Sequence, residues 1–305
     1  MDDKQKSIRF QNYLHLHFVI LIWGFTAVLG ALISIDAIPL VWYRMLIATA
    51  FLFIYMLIRR KSFKVSKGTL TKFILGGIII ALHWITFFLA IKSSNISVAL
   101  IMMSTGAFFT SLIEPLFFKR RVSKLELFLG ILVIFGLYII FKIEGHFMLG
   151  IIYGLISSFL SALFSVANGL YVKKNDPVVM SFYQLFFGVV FITILLGIKG
   201  EFVFSFFQLS SNDWIYLLIL GSICTAYAFA ASVKVMKVLS PFTVMLSINL
   251  EPVYGIILAL LIFPEKEKMP PNFYYGALII LFAVVLNGII INRKKLFSKL
   301  KKNKN

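Results

Sequence analysis

The chain has 305 residues, 60% of them hydrophobic, a mean hydropathy of +0.96 and a formal net charge of +18. That composition excludes an ordinary soluble domain. The positive charge follows from where the cations sit between apolar segments, so nucleic acid is not an expected partner. The single cysteine, Cys224, excludes a disulfide framework and a cysteine metal site.

In chain order, ten apolar segments run near 13–33, 38–58, 70–91, 96–118, 125–143, 147–171, 178–198, 213–233, 239–263 and 272–292. Each approaches the ~20 helical residues that cross a hydrocarbon core of about 30 Å. The first follows a basic stretch, as a signal peptide does, but it is long and lacks a small-residue cleavage site, so it reads as a retained span. The connection near 199–212, GEFVFSFFQLSSN, carries phenylalanines that suit a segment lying in the membrane interface. Lys and Arg fall on alternate connections: 24 of the 30 lie on the side of the two termini, 5 on the other, and Arg44 lies inside a span. Cationic loops are retained in the cytoplasm. Both termini are therefore expected in the cytoplasm, with the chain multi-pass in a bacterial inner (plasma) membrane and the lipid bilayer as its surroundings.

Ten spans divide into five plus five, residues 1–145 and 146–305. With an offset of 145, Leu75-Gly76 meets Leu220-Gly221, Ala81 meets Ala226, Lys92 meets Lys237 and Phe118 meets Phe263. Nearer the start of each half the offset is 138, where Pro39 meets Pro177. An odd number of spans per half forces the halves into opposite orientations, and the charges agree: Lys119-Arg120-Arg121 in the first half corresponds to Pro264-Glu265-Lys266 in the second. Inverted repeats generate alternating access around a site near the midplane. The expected fold is an all-α membrane protein, ten transmembrane helices as two inverted five-helix repeats around a central cavity.

Four motifs carry a resemblance: Trp23-Gly24 in the first span, Tyr43-Arg44 after Pro39 in the second, Asn249-Leu250-Glu251-Pro252-Val253 in the ninth, and the Pro-Glu-Lys ending at 264–266. Together with the span count and the inversion, they make nearly the whole chain resemble the EamA-like family of the drug/metabolite transporter superfamily. The first half departs from it, with Lys119-Arg120-Arg121 where a Gly-Glu-Arg turn is usual. The resemblance implies a central cavity and export of amino acids or related metabolites.

Polar groups inside a span are costly and face protein or a water-filled cavity. Ser157, Ser161, Ser165 and Asn168 form one stripe of the sixth span; such a stripe lines a cavity or serves close helix packing. Ser247, Glu251 and Tyr254 share one face of the ninth span. Glu251 lies near its middle, and the following Pro252 frees a backbone carbonyl at the same depth. A carboxyl there binds a substrate amine, carries a proton, or is satisfied by a neighbouring helix. His83 and Trp84 sit near the middle of the third span, His83 as a second titratable group, and Trp84, Trp23 and Tyr227 are candidate aromatic walls. Arg44, about two turns from the outer face, is expected to snorkel or pair structurally, in a gating or structural role. Glu114 is one turn from the basic end and is explained by pairing with Lys119 or Arg120.

There is no Walker loop and no HExxH, and His15 and His17 lack partners spaced for a metal; no enzyme, cofactor or metal is expected. The leading reading is a secondary transporter that exports amino acids or similar small metabolites, with protons as a candidate coupling ion. A carrier for nucleotide sugars or sugar phosphates and a passive channel are the alternatives. Substrate and oligomeric state stay open.

Overall fold

The computed structural model describes residues 3–119, 124–143, 147–283 and 285–286. Within them the chain is helical, with no strand. Polar residues start the helices by accepting the first free backbone N–H groups. Ser66 opens α3 (Lys67–Ser93), and Asn95 opens α4 (Ile96–Met103). Asp176, followed by Pro177 at the first position, opens α8 (Pro177–Ile198). Ser210 opens α9 (Ser211–Gly221) and Ser240 opens α11 (Pro241–Ile248). The others are α1 (Asp3–Leu32), α2 (Ala37–Ile58), α5 (Gly106–Phe118), α6 (Lys124–Ile143), α7 (Met148–Tyr171), α10 (Ala228–Val235), α12 (Glu251–Ile262), the short α13 (Pro264–Glu267) and α14 (Pro271–Ala283).

Among the described residues, eight stretches are long and apolar enough to cross a membrane: α1, α2, α3, α4 with α5, α7, α8, α9 through α10, and Thr243–Ile262. The fifth expected span is α6, 20 residues long, and the tenth contains α14. Arg120, Arg121, residues 287–292 of the tenth span and the basic tail from Arg293 onward lie outside the described residues. Large apolar side chains such as Phe53, Ile54, Leu57, Phe128 and Ile194 stay exposed, while Arg44, His83, Asn168, Gln184 and Glu251 are buried. That polarity is reversed relative to a water-soluble bundle and suits lipid as the solvent.

Contacts between loops sort the chain onto two ends. At the basic end Lys61 pairs with Asp176, Tyr183 donates to the Phe63 carbonyl at 2.7 Å, and His15 meets Tyr227 at 2.8 Å. At the opposite end Asp213 accepts from the backbone N–H and hydroxyl of Ser34, both at 2.7 Å. There too Glu267 accepts from the N–H groups of Ile96 and Ser97 and from the Ser97 hydroxyl, at 2.8–2.9 Å. The 199–212 connection docks on this end of α2: Phe206 stacks on Tyr43 at 5.5 Å, and Tyr43 donates to its carbonyl at 3.1 Å.

Three helices are interrupted inside the bundle. α4 gives way to α5 at Ser104–Thr105, and α11 to α12 at Asn249–Leu250. These breaks are related by the offset of 145 seen in the sequence. Between α9 and α10, Ser222–Tyr227 form a wide π-helical turn. Thr225 Oγ1 donates across it to the Leu220 carbonyl five residues back, at 2.6 Å.

α3 packs against α7 and α8, α2 against α8, and α1 against α12. The α3–α8 contact is backbone on backbone: a Cβ on Gly77 would lie 2.3 Å from the Gln184 carbonyl oxygen and 3.0 Å from the Gly188 nitrogen. Neither atom can swing aside. Gly77→Ala is therefore expected to destabilise by ~1–3 kcal/mol, as overpacking does, read as a lower melting temperature in detergent. Gly68→Ala, with open space around its Cβ, is the control and should be neutral or slightly stabilising.

Outside the spans, partial burial pushes the Asp176 carboxyl up. The Lys61 ammonium and the N–H groups of Val179 and Val178 outweigh it and hold the carboxyl below its ordinary value. A depressed carboxyl adds stability above its unfolded value, about 3.9, and that stability is lost as pH falls through the lower folded one. Asp176→Asn keeps the helix cap and removes the charge. The variant should melt slightly lower than wild type at neutral pH, by less than about 1 kcal/mol for so exposed a pair. The difference should vanish in a melting series carried below pH ~4.

Candidate functional site

Between the two ends lies a small cavity of about 60 Å³, room for a few waters. Its walls come from both halves. Trp23 and Thr26 (α1), Arg44 (α2), His83, Trp84 and Phe87 (α3) and Met103 (α4) face Ser161, Phe164, Ser165 and Asn168 (α7). Phe229, Ser232, Val233 and Met236 at α10, with Ile248 and Glu251 beside the α11–α12 break, complete it. The cavity extends toward the basic end, where Asn168 and Met236 stand close to their helix ends.

Several lining residues correspond under the sequence offsets. Trp84 and Phe229, Phe87 and Ser232, and Met103 and Ile248 are each 145 apart; Trp23 and Ser161, and Thr26 and Phe164, are each 138 apart. The Trp84 and Phe229 rings touch edge to face at 5.9 Å. Trp23 reaches the wall because α1 crosses α12 closely at Gly24. A Cβ there would stand 3.0 Å from the Tyr254 Cβ, and one on Gly255 would meet Leu100 at 2.3 Å.

Among the described residues, Arg44 is the largest fully buried side chain. Its Nε donates to Thr225 on the π-helical turn at 2.6 Å, and its guanidinium lies 4.1 Å over Trp84 and 5.5 Å from Phe88. Its buried Nη1 has no hydrogen-bond partner. The turn also frees the Cys224 carbonyl, which accepts from Trp23 Nε1 at 3.1 Å. The Arg44 side chain thus turns inward to the cavity, held by an aromatic face and a hydroxyl, instead of reaching for the membrane surface. Glu251 stands at the first position of α12, where the positive end of the helix dipole favours a negative group. Among the described residues, the ion pair formed is Lys61–Asp176; Arg44 and Glu251 share the cavity without closing one.

His83 and Ser157 lock α3 to α7. His83 Nδ1 lies 2.9 Å from the Ser157 carbonyl, which can only accept, so the Nδ1–H tautomer is assigned. The Ser157 hydroxyl donates back to the His83 carbonyl at 2.9 Å. Asn168 and Gln184 form a reciprocal amide pair, with Gln184 Nε2 donating at 2.7 Å. Of the stripe on α7, Ser161, Ser165 and Asn168 reach the cavity, and Ser157 is consumed by His83.

Three other expected wall residues are placed elsewhere. Tyr227 is 43% exposed and turns to His15, because the widened turn before it rotates its register. Ser247 donates to the Thr243 carbonyl at 3.0 Å, and Tyr254 packs on Gly24. The break at Asn249–Leu250 separates Ser247 from the face that Glu251 presents, and Tyr254, one turn on in the same helix, is taken up by the crossing with α1. Glu114 is buried in α5, outside the cavity wall. Beyond the candidates that stand out in the sequence, the wall includes Thr26, Phe87, Met103, Phe164, Phe229, Ser232, Val233, Met236 and Ile248. The offset of 145 points to one of them, since Phe229 is the counterpart of Trp84.

A family model for the EamA-like transporter family matches residues 13–142 and again 148–289. The chain belongs to this family. The EamA-like transporter is 24% identical over 241 residues to an uncharacterized transporter of Clostridium kluyveri, across 75% of this chain and 76% of that one. It is 22% identical over 233 residues to the uncharacterized transporter YxxF of Bacillus subtilis, across 74% and 73%. A crystal structure of a protein at 15% identity superposes with a TM-score of 0.65, covering 91% of this chain and 97% of that chain; the likeness is one of fold. The family and the apolar helices together make the EamA-like chain a multi-pass integral membrane protein of the drug/metabolite transporter type, acting on a small-molecule substrate.

Proposed function

We propose that this EamA-like transporter is a secondary carrier that exports amino acids or similar small zwitterions by alternating access. It would sit in a bacterial inner membrane with both termini in the cytoplasm. One observation carries the reading: the cavity presents a buried guanidinium with a free Nη1 and, separately, a carboxyl, with no ion pair closed between them. An α-amino acid brings the complementary pair, its carboxylate to Arg44 and its ammonium to Glu251 or, in the empty state, a proton there. A sugar phosphate or nucleotide sugar would call for two cations at this depth, where the cavity offers one cation and an acid.

Alternating access is supported by the half-helix breaks and wall residues that correspond under the offsets of 145 and 138, as expected of two inverted units, 1–145 and 146–305. In this conformation the cavity is too small for a metabolite. Loading therefore widens the basic end, and release opens the opposite end by breaking the bonds of Asp213 and Glu267.

Counterflow in proteoliposomes, preloaded with a mixed panel, tests the reading. Zwitterionic amino acids should exchange in a saturable manner, and sugar phosphates should not. Exchange of phosphorylated sugars without amino acids would overturn it. A C-terminal reporter active only in the cytoplasm checks the orientation; an external C-terminus would remove the topology.

A further inference from the structure

The cavity best sized for a ligand is not the central one. A groove of about 590 Å³ lies at the basic end, bordered by α1, the end of α2, the start of α8 and α10. That is within the range of small-ligand sites. Its cations are Lys61, Lys234 and Lys237, and its one acid, Asp176, is already paired with Lys61. Lys234 and Lys237, one turn apart and exposed, have no acid within ion-pair distance among the described residues. The groove therefore offers two uncompensated positive charges.

The rest of the groove is apolar. Phe51 is 48% exposed and borders it with Tyr55 and Tyr227. Ala226 of the π-helical turn and Ala230 and Ala231 of α10 make a floor of small side chains. A free anion would satisfy the lysines and leave this floor bare. A charge above an apolar trough at the end of a membrane-spanning helix complements a molecule with a phosphate and a hydrocarbon chain.

We propose that this groove binds an anionic phospholipid, its phosphate between Lys234 and Lys237 and one acyl chain along the alanine floor. The groove shares a wall with the central cavity. The π-helical turn gives Ser222, Ala226 and Tyr227 to the groove, and its other side gives Thr225 to Arg44 and the Cys224 carbonyl to Trp23. Bound lipid thus bears on the element that holds the cavity guanidinium.

Native mass spectrometry of the purified full-length protein, titrated with phosphatidylglycerol or phosphatidylcholine, tests the site. Wild type should retain one tightly held phosphatidylglycerol in preference to phosphatidylcholine. Lys234→Gln/Lys237→Gln should weaken that retention about thirtyfold, on the scale of two interfacial lysines. Lys234→Arg/Lys237→Arg should restore it. Ala230→Trp, which fills the floor and leaves the charges, should weaken it as well. Melting temperatures close to wild type keep these comparisons valid, and the exposed lysines make that expected. Equal retention by the Gln pair and wild type would overturn the site. So would displacement of the lipid by millimolar inorganic phosphate, or a homodimer that the Gln pair dissociates, since the groove would then hold a free anion or a second copy of the chain.

Discussion

Glu251→Gln is expected to abolish amino-acid counterflow at any pH while leaving a folded protein. The amide keeps the shape of the side chain and loses the charge that would receive a substrate ammonium. A hydrogen bond to a charged group is worth ~1.5–3 kcal/mol, so affinity should fall by about 10–150-fold. Substrate-induced thermal shift, measured across pH, reads this directly. If the variant instead keeps counterflow and loses only accumulation driven by a pH gradient, Glu251 carries a proton and the ammonium is held elsewhere. Unchanged exchange, accumulation and pH response in a well-expressed variant would reject both roles. The carboxyl would then be structural, retained at the start of α12 by the helix dipole.

Arg44→Lys should weaken substrate binding by about tenfold or more even though the charge is conserved. Lysine cannot reproduce the planar stack on Trp84 or the fixed Nε donation to Thr225, and an ammonium on a flexible stem is not held where the guanidinium is. Arg44→Ala should do more: it opens a void beneath Trp84, so the protein itself should melt lower. A Lys variant with wild-type melting and wild-type affinity would remove Arg44 from the substrate site. Thr225→Val provides a second arm, because it removes the hydroxyl that orients the guanidinium while touching nothing else in the cavity wall. Its effect should resemble a weaker form of Arg44→Lys, seen as a raised substrate concentration for half-maximal exchange with little change in maximal rate.

Much of the fold is legible along the chain because the membrane imposes one-dimensional rules. A span must be about as long as the hydrocarbon is thick, and its backbone must bond to itself. Cations mark connections by side. Hence the apolar segments, the alternating loops and the half-to-half offset could be read before any contact was known. Glu251, His83, Trp84, Trp23 and most of the α7 stripe could be singled out for the same reason: a polar or indole group in that solvent needs a protein neighbour.

The side chains that share the cavity depend on irregularities with no clear mark in composition. A straight helix would put Ser247 beside Glu251, but two residues of turn at Asn249–Leu250 reset the rotation. A straight helix would also turn Tyr227 inward, but one wide turn at Ser222–Tyr227 sends it to His15 and sends Thr225 to Arg44. Arg44 lies within two turns of a membrane face, where an arginine can snorkel; only the arrival of Trp84 and Thr225 from other helices turns it inward. Periodicity reports how far along the bilayer a residue lies. Which way it faces depends on breaks and close crossings such as Gly24 with α12 and Gly77 with α8, and these are energetically satisfied only once the helices are packed together.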